Sequence, residues 1–276
     1  HIASSYFCSG FDKAIAISID GSGDFSTFAS YLIENGKFKL INKANYPHSL
    51  GIFYQAITQY LGFNNYGDEY KVMGLSGYGK PTFYKEIKEI ISFENGKLKL
   101  NLKFFRHHNE PHPNKWKNNI PVFDKLYSNK LNELLKCERQ KEEKISQVHM
   151  DIAYSLQKVF EEIYFKIIMQ ACHKYPDIKN VCLAGGCALN SLANGKLKSL
   201  IKRNIFIQPN SGDAGGALGA ALSGWYLHYK NKRKVISNSD SMKGSYLGPS
   251  FSDNEIEIAL NSCGAVYKKL SYKQLI

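Results

Sequence analysis

The sequence predicts an α/β fold in which antiparallel hairpins come first and strand–helix units follow. Three observations predict it. The run KAIAISID begins at Lys13 with strand-like alternation and breaks at Asp20–Gly21. Two Asn–Gly dipeptides, Asn35–Gly36 and Asn95–Gly96, stand between segments of strand-like residues. Asn–Gly is a strong hairpin signal because both positions tolerate the positive φ of a tight turn. Two glycine pairs, Gly185–Gly186 and Gly215–Gly216, each follow an apolar run and open a helical pattern.

In chain order, the strand from Lys13 gives way to two strands around Asn35–Gly36. Helical spacing follows at Leu50, Phe53, Ile57 and Leu61, with Ser49 placed to cap the first turn. PTFYKEIKEIISF reads as a second helix, and ENGKLKLNLKFF as a hairpin around Asn95–Gly96. The polar, proline-bearing stretch from His107 to Asn119 reads as a surface loop. Apolar residues at Ile145, Val148, Ile152, Leu156, Val159, Ile163 and Ile167 predict a long packed helix from about Glu142 to Tyr175. A strand at NVCLAG, a helix over Ala188–Ile201, a strand at NIFIQP and a helix over Gly215–Tyr229 complete the alternation. KNKRKVISNSDSMKG is polar and basic and reads as a linker. Beyond it come a helix near SDNEIEIALNSC and a strand AVYKKL. Actin-like kinases and chaperone ATPases combine curled hairpins with strand–helix units in this way. Their phosphates lie between two halves, where glycine turns let backbone N–H groups approach the ligand.

A chain of 276 residues can bury a sizeable core. No run approaches the roughly 20 apolar residues that span a bilayer. The net charge is +12, but the lysines are scattered and no block of basic residues interleaves with aromatics. A solvated lysine-rich surface is expected, with no membrane and no nucleic-acid partner. The six cysteines form no C-x-x-C pair. Buried thiols in a reducing cytoplasm are expected, not a zinc site or disulfides.

DGSGD, at Asp20–Asp24, is a strand ending in an acidic turn. In LAGGCALN, Gly185 and Gly186 could let a nucleotide pack on bare backbone, and the Asn190 amide could reach a phosphate or ribose; close strand–helix packing is the alternative. Asp213, before Gly215–Gly216, is a helix cap by default and could also ligate a metal beside a nucleotide. In DEYKVMGL, a lysine could neutralise phosphate and a carboxylate could orient an acceptor hydroxyl, against a plain surface ion pair.

Four ordered blocks carry a resemblance: HIASSYFCSGFDKAIAISIDGSGD, YPHSLGIFYQAITQYLGFNNYGDEYKVMGLSGYGKP, LAGGCALN and SGDAGGALGAAL. The chain resembles the NodU/CmcH carbamoyltransferase family over nearly its whole length. The resemblance implies an actin-like (ASKHA) nucleotide-binding fold, partial at both ends. It implies transfer of a carbamoyl group from carbamoyl-adenylate, made from ATP and carbamoyl phosphate, to a hydroxyl of a sugar or secondary metabolite. It implies a divalent metal, iron first, with magnesium or manganese as alternatives. His1 corresponds to the second histidine of an H-x-x-x-H pair, and with Asp20 and Asp213 forms the implied ligand set. Gly21, Gly185, Gly186, Asn190, Gly215 and Gly216 carry the nucleotide role; Lys71, Glu69 and His48 are the candidate catalytic residues. Residues 1–230 are expected to be the transfer domain, and 231–276 a linker and the start of a YrdC-like domain that makes the adenylate. An internal stretch of a longer protein is therefore expected, unable alone to carry out the ATP- and carbamoyl-phosphate-dependent reaction, although the transfer half reaction could survive in part. A tRNA threonylcarbamoyladenosine-type transferase and a non-catalytic nucleotide-binding regulator are the competing readings. A valine at Gly185 or Gly216 is expected to block nucleotide with little loss of folding.

Overall fold

A computed structural model of the chain describes residues 1–109, 115–117, 120–122, 124–235 and 239–275. The chain divides into two units, His1–Ser241 and Met242–Ile276. The first unit thus extends past the boundary expected at 230. Arg233 shows why: its guanidinium donates to the carbonyls of Tyr6, Ser9 and Phe11 and lies over the Tyr6 ring. A basic run that reads as linker contains a side chain that fastens this segment to the body.

The first unit is built on a mixed five-stranded sheet, ordered β3-β2-β1-β8-β9. Strands β1 (Ala14–Gly23), β2 (Ser26–Glu34) and β3 (Lys37–Asn45) form an antiparallel meander. Asn35 and Gly36 take φ of 50° and 70°, as the tight turn requires. On the other side of β1, β8 (Asn180–Ala184) and β9 (Asn204–Ile207) pair in parallel.

Strand β1 is buried on both faces, which its alternation of isoleucine and alanine accommodates. Ile15, Ile17 and Ile19 enter the larger core cluster, with residues of α2 (Leu50–Tyr60) and α6 (Gln147–Lys174). Ala14 and Ala16 enter the smaller one, against Tyr6 and Phe7 of α1 (Ile2–Cys8). The small residues leave room for those two rings. Helix α8 (Asp213–Ser223) packs against α1; its Gly219 lies so close that a Cβ would stand 3.0 Å from the Ser4 nitrogen.

Ser49 caps α2, accepting from the Ile52 N–H at 3.0 Å. Helix α6 begins at Gln147, five residues after the expected start, because Ser146 and His149 close a capping box there. The helix expected over PTFYKEIKEIISF is cut short. Only α4 (Tyr84–Lys88) is α-helical, and Ile91–Glu94 is strand β4, paired with β5 (Lys97–Leu100) across Asn95–Gly96. The hairpin recruits the β-branched end of the run, overriding its helical period. Helices α3 (Glu69–Leu75) and α5 (Asn129–Leu135) went unpredicted, as did the short pair β6 (Lys115–Lys117) and β7 (Ile120–Val122). Of the expected loop over 107–119, residues 110–114 and 118–119 lie outside the described residues. His107 at its start is buried, its Nε2 on the Pro47 carbonyl at 2.9 Å. Helix α7 (Ser191–Leu200) follows β8 through a short 3₁₀ turn.

In the second unit, α9 (Asp253–Ser262) opens on a Ser252–Glu255 capping box and α10 (Tyr272–Leu275) follows. AVYKKL, expected as a strand, is irregular and has no strand partner among the described residues.

Candidate metal centre and surrounding cleft

The parallel pairing of β1 with β8 sends both strand ends to one edge of the sheet. Asp20 lies on β1 two residues past Ser18, the last residue paired with β8, and Gly185–Gly186 follow β8. The N-terminus of α8 brings Asp213, and the residue preceding α1 brings His1. There His1 Nε2 lies 2.5 Å from Asp20 Oδ2 and 3.6 Å from Asp213 Oδ1. One ligand atom from each of the three side chains falls within 4.8 Å of the others. Two residues 193 positions apart (213 − 20) thus face one point.

Asp20 is held on all sides. Its Oδ1 accepts from the Gly21 N–H at 2.8 Å and the Gly186 N–H at 3.1 Å. Burial alone would raise its pKa, but the bonds from His1, Gly21 and Gly186 outweigh burial and hold it below the ordinary value. The bond to Asp20 raises the His1 pKa against the opposing effect of burial. Asp213 is the open side, with its side chain 77% exposed.

One imidazole nitrogen and two carboxylates suit a hard or borderline divalent cation. The observed spacings bracket the ~3 Å that separates neighbouring donors around an ion bound at about 2.0–2.2 Å. Nε2 is the ring atom turned to the carboxylates, and the buried Nδ1 has no hydrogen-bond partner among the described residues. The residues fit a cation.

The glycines divide into two kinds. Gly185 has φ 88° and ψ 159°, a region open essentially to glycine alone, and a Cβ there would stand 2.2 Å from the Ile19 carbonyl oxygen. A Cβ on Gly215 would meet the Asn210 carbonyl at 1.9 Å. Both are glycine because backbone passes against backbone. Gly21 and Gly216 face open space, and Gly186 faces Asp20 Oδ1 at 2.9 Å. A valine at Gly185 therefore cannot leave folding intact, contrary to expectation; Gly216 remains a clean position. The Asn190 amide is not free either. Its Oδ1 accepts from the Ala193 N–H and from Gln157 Nε2, and its Nδ2 donates to Gln157 Oε1. Asn190 caps α7 and joins a buried network through Gln157 to Tyr54. Both its Oδ1 and its Nδ2 are engaged in that network.

Among the candidate catalytic residues, the partly exposed Lys71 pairs with the buried Asp68 carboxylate at 2.6 Å. His48 Nδ1 accepts from the Leu100 N–H, tying β5 to the start of α2. None of its described contacts reaches the three ligand residues. Glu69, at the start of α3, is different. Burial raises its carboxyl pKa, with Asp68 adding to the effect. The Cys187 thiol, pushed up first by burial, senses both Asp20 and Glu69. The Tyr66 phenol, also raised by burial, senses Asp213, Asp20 and Glu69. Glu69 thus shares the acid cluster's neighbourhood, and Tyr66 joins it as a residue that sequence reasoning missed. Its only signal was an aromatic between NN and GDE. Ser211 is the other omission: its carbonyl holds the Gly185 N–H at 2.7 Å, and its buried hydroxyl has no hydrogen-bond partner among the described residues.

The family description "Carbamoyltransferase N-terminus" matches residues 1–222. An uncharacterized protein of Synechocystis is 36% identical, over 100% of this chain and 43% of its own length. Nodulation protein NolNO of Sinorhizobium fredii is 32% identical, over 96% of this chain and 35% of its own. Nodulation protein NolO of Bradyrhizobium diazoefficiens is 36% identical, over 80% and 36%. The chain thus spans well under half the length of these relatives. Among solved structures, T. kodakarensis HypF covers 84% of the chain and 37% of its own at 19% identity, with a TM-score of 0.41. That likeness is too loose to carry an argument.

Proposed function

The chain belongs to the carbamoyltransferase N-terminus family, and from that premise we propose that it is the transfer portion of an O-carbamoyltransferase. The donor is carbamoyl-adenylate, derived from ATP and carbamoyl phosphate, and the acceptor is a hydroxyl of a small molecule. The convergence of His1, Asp20 and Asp213 inside the matched residues is the observation that carries the reading. The sheet order supports an actin-like fold: a three-stranded antiparallel meander continued by parallel strands, with helices on both faces. The second unit is read as the approach to a YrdC-like domain that makes the adenylate.

His1, Asp20 and Asp213 would hold a divalent cation, iron or alternatively magnesium or manganese. When bound, it supplies Lewis-acid stabilisation of negative charge near the phosphate. The chain's own residues do the rest. The open backbone at Gly21 and Gly216 leaves room for the nucleotide beside the N-terminus of α8, whose first N–H groups favour an anion. Glu69, with its raised pKa, takes the proton of the acceptor hydroxyl. The hydroxyl oxygen bonds to the carbamoyl carbon, the bond from that carbon to the phosphate oxygen breaks, and AMP leaves.

The test supplies the chain with freshly prepared carbamoyl-adenylate, Fe(II) and a mixture of hydroxyl compounds. Mass spectrometry should find AMP and an O-carbamoylated acceptor in equal amounts, both strongly reduced in Glu69→Gln. Release of AMP with no carbamoylated acceptor, in every mixture, would remove the transfer reading.

A further inference from the structure

The three ligand residues rest on two kinds of support. Asp20 lies on β1 and is held by the Gly21 and Gly186 N–H groups. His1 and Asp213 stand instead at the N-terminal ends of α1 and α8, which pack on each other. Their separation, 3.6 Å from Nε2 to Oδ1, is therefore set by how α1 lies on α8. We propose that Arg233 is a positioning residue for the cation site, locking α1 in place from the end opposite His1; this rests on the reading of His1, Asp20 and Asp213 as ligands.

Helix α1 has seven residues, too few to be stable without outside contacts. The last carbonyls of a helix lack intrahelical partners, and that end carries partial negative charge. Arg233 meets both needs. One terminal nitrogen donates to the Phe11 carbonyl at 2.7 Å. The other donates to the carbonyls of Ser9 and Tyr6 at 2.6 and 2.8 Å, with that of Phe7 at 3.4 Å. The guanidinium carbon lies 4.4 Å from the centre of the Tyr6 ring and 5.7 Å from that of Phe7. A planar fork of five donors serves several carbonyls at once, whereas a lysine ammonium is a point charge that cannot match their spread.

The contacts nearer the site form a seat for the helix. Gly219 of α8 abuts the Ser4 backbone, and Gln208 Nε2 donates to the Ser4 carbonyl at 2.7 Å. The Phe7 ring stacks on Tyr226, just beyond α8, at 4.7 Å between centres. Arg233 holds the helix in that seat. Because Ser4 meets α8 backbone, release of the far end pivots α1 about this contact and swings His1 away from both carboxylates. Asp20 keeps its own backbone bonds, so the loss falls on the imidazole.

The experiment is Mn(II) titration of the full chain by electron paramagnetic resonance, with nitrogen modulation of the electron spin echo reporting whether an imidazole is a ligand. Arg233→Lys and Arg233→Ala should bind Mn(II) about tenfold or more weakly and lose the nitrogen modulation, the two carboxylates remaining. Arg203→Lys is the contrast. Arg203 closes the C-terminal end of α6 in the same way, on the carbonyls of Cys172, Tyr175 and Ile178, but α6 carries no ligand. Its substitution should lower the melting temperature and leave affinity and modulation unchanged. Full affinity and modulation in the Arg233 variants, or an equal loss in Arg203→Lys, would overturn the proposal. The imidazole nitrogen signals of the chain in chelator give a readout without metal. Arg233→Lys should displace those of His1, and Arg203→Lys should not. Undisturbed His1 signals in folded Arg233→Lys would also overturn the proposal. A wild type that binds no Mn(II), but whose His1 signals move with Arg233, removes the cation reading and leaves the positioning of His1 standing.

Discussion

At the scale of single residues, glycines that look alike in sequence do unlike work. Gly185 exists because β8 turns across the Ile19 carbonyl, whereas Gly216 borders open space. Gly185→Val should destabilise the fold by roughly 3–6 kcal/mol, combining backbone strain with overpacking. Gly216→Val should stay within about 1 kcal/mol of wild type, since it lies in a helix where valine is no worse than glycine. Urea denaturation separates the two, and only Gly216→Val is then fit for measuring ATP or AMP affinity, where a loss is expected. The sequence displays both pairs as Gly–Gly after an apolar run. Nothing in it distinguishes a glycine under a ligand from one under a neighbouring strand, because that depends on contacts made by residues far away in the chain.

The His1–Asp20 pair carries a pH dependence whose direction follows from its shifts. The folded His1 pKa lies above the ordinary 6.5, so its contribution is complete below about 6.5 and is lost as pH rises through the folded value. The folded Asp20 pKa lies below 3.8, so its contribution is present above that and is lost as pH falls through the folded value. With chelator present, the stability gap between wild type and His1→Gln should be widest near pH 5–6 and shrink toward pH 9. A gap that grows with pH would mean that the ring does not share its proton with Asp20. A bound cation reverses the preference, since it requires the neutral ring, and its affinity should rise with pH.

At the scale of elements, Asn190 shows how a cap can resemble a ligand-binding residue. It stands at the start of a helix just after a glycine pair, where a phosphate-reaching amide would also stand. The amide is instead joined to Gln157 on α6, a contact across 33 positions that no local pattern reveals. Asn190→Ala should cost about 1–3 kcal/mol, from a lost cap and unpaired buried groups, and leave nucleotide affinity unchanged. Calorimetry after a denaturation series checks both halves. Legibility varied between elements for similar reasons. Turn chemistry gave the β2–β3 and β4–β5 hairpins, because Asn–Gly acts locally. It also explains the mistaken helix over Ile90–Phe93: helical period was present, but pairing of Ile91 with Leu100 won. Helix α3, seven residues long, has too few turns to show a period. It nevertheless carries Glu69.

At the scale of the whole molecule, the two units differ in kind. Both hydrophobic clusters are confined to the first unit. In the second, Ile258 is 61% exposed, Phe251 66% and Val266 fully exposed, so these residues form no core of their own. A chain ending at Ser241 should therefore melt cooperatively, within a few degrees of the 276-residue chain. Loss of the cooperative transition on truncation would assign the second unit a structural role that its exposure does not suggest. The order of the sheet's hairpins and strand–helix units was legible, since hydrophobic period and turn residues are local; short elements such as α3 and α5 were not. The boundary was not, because Arg233 acts on carbonyls more than 200 positions away.

The proposed function requires His1, Asp20 and Asp213 to act together on one cation. Its most direct test is titration of the apo chain with Mn(II), followed by electron paramagnetic resonance, in wild type and in Asp213→Asn. Asp213 is the variant of choice because its exposed side chain can change without disturbing the core. The wild type should bind one ion per chain, with affinity falling at acid pH. Asp213→Asn should bind at least about tenfold more weakly while its melting temperature without metal is unchanged. Equal affinity in the two proteins, or no stoichiometric binding at pH 7–8, would contradict it.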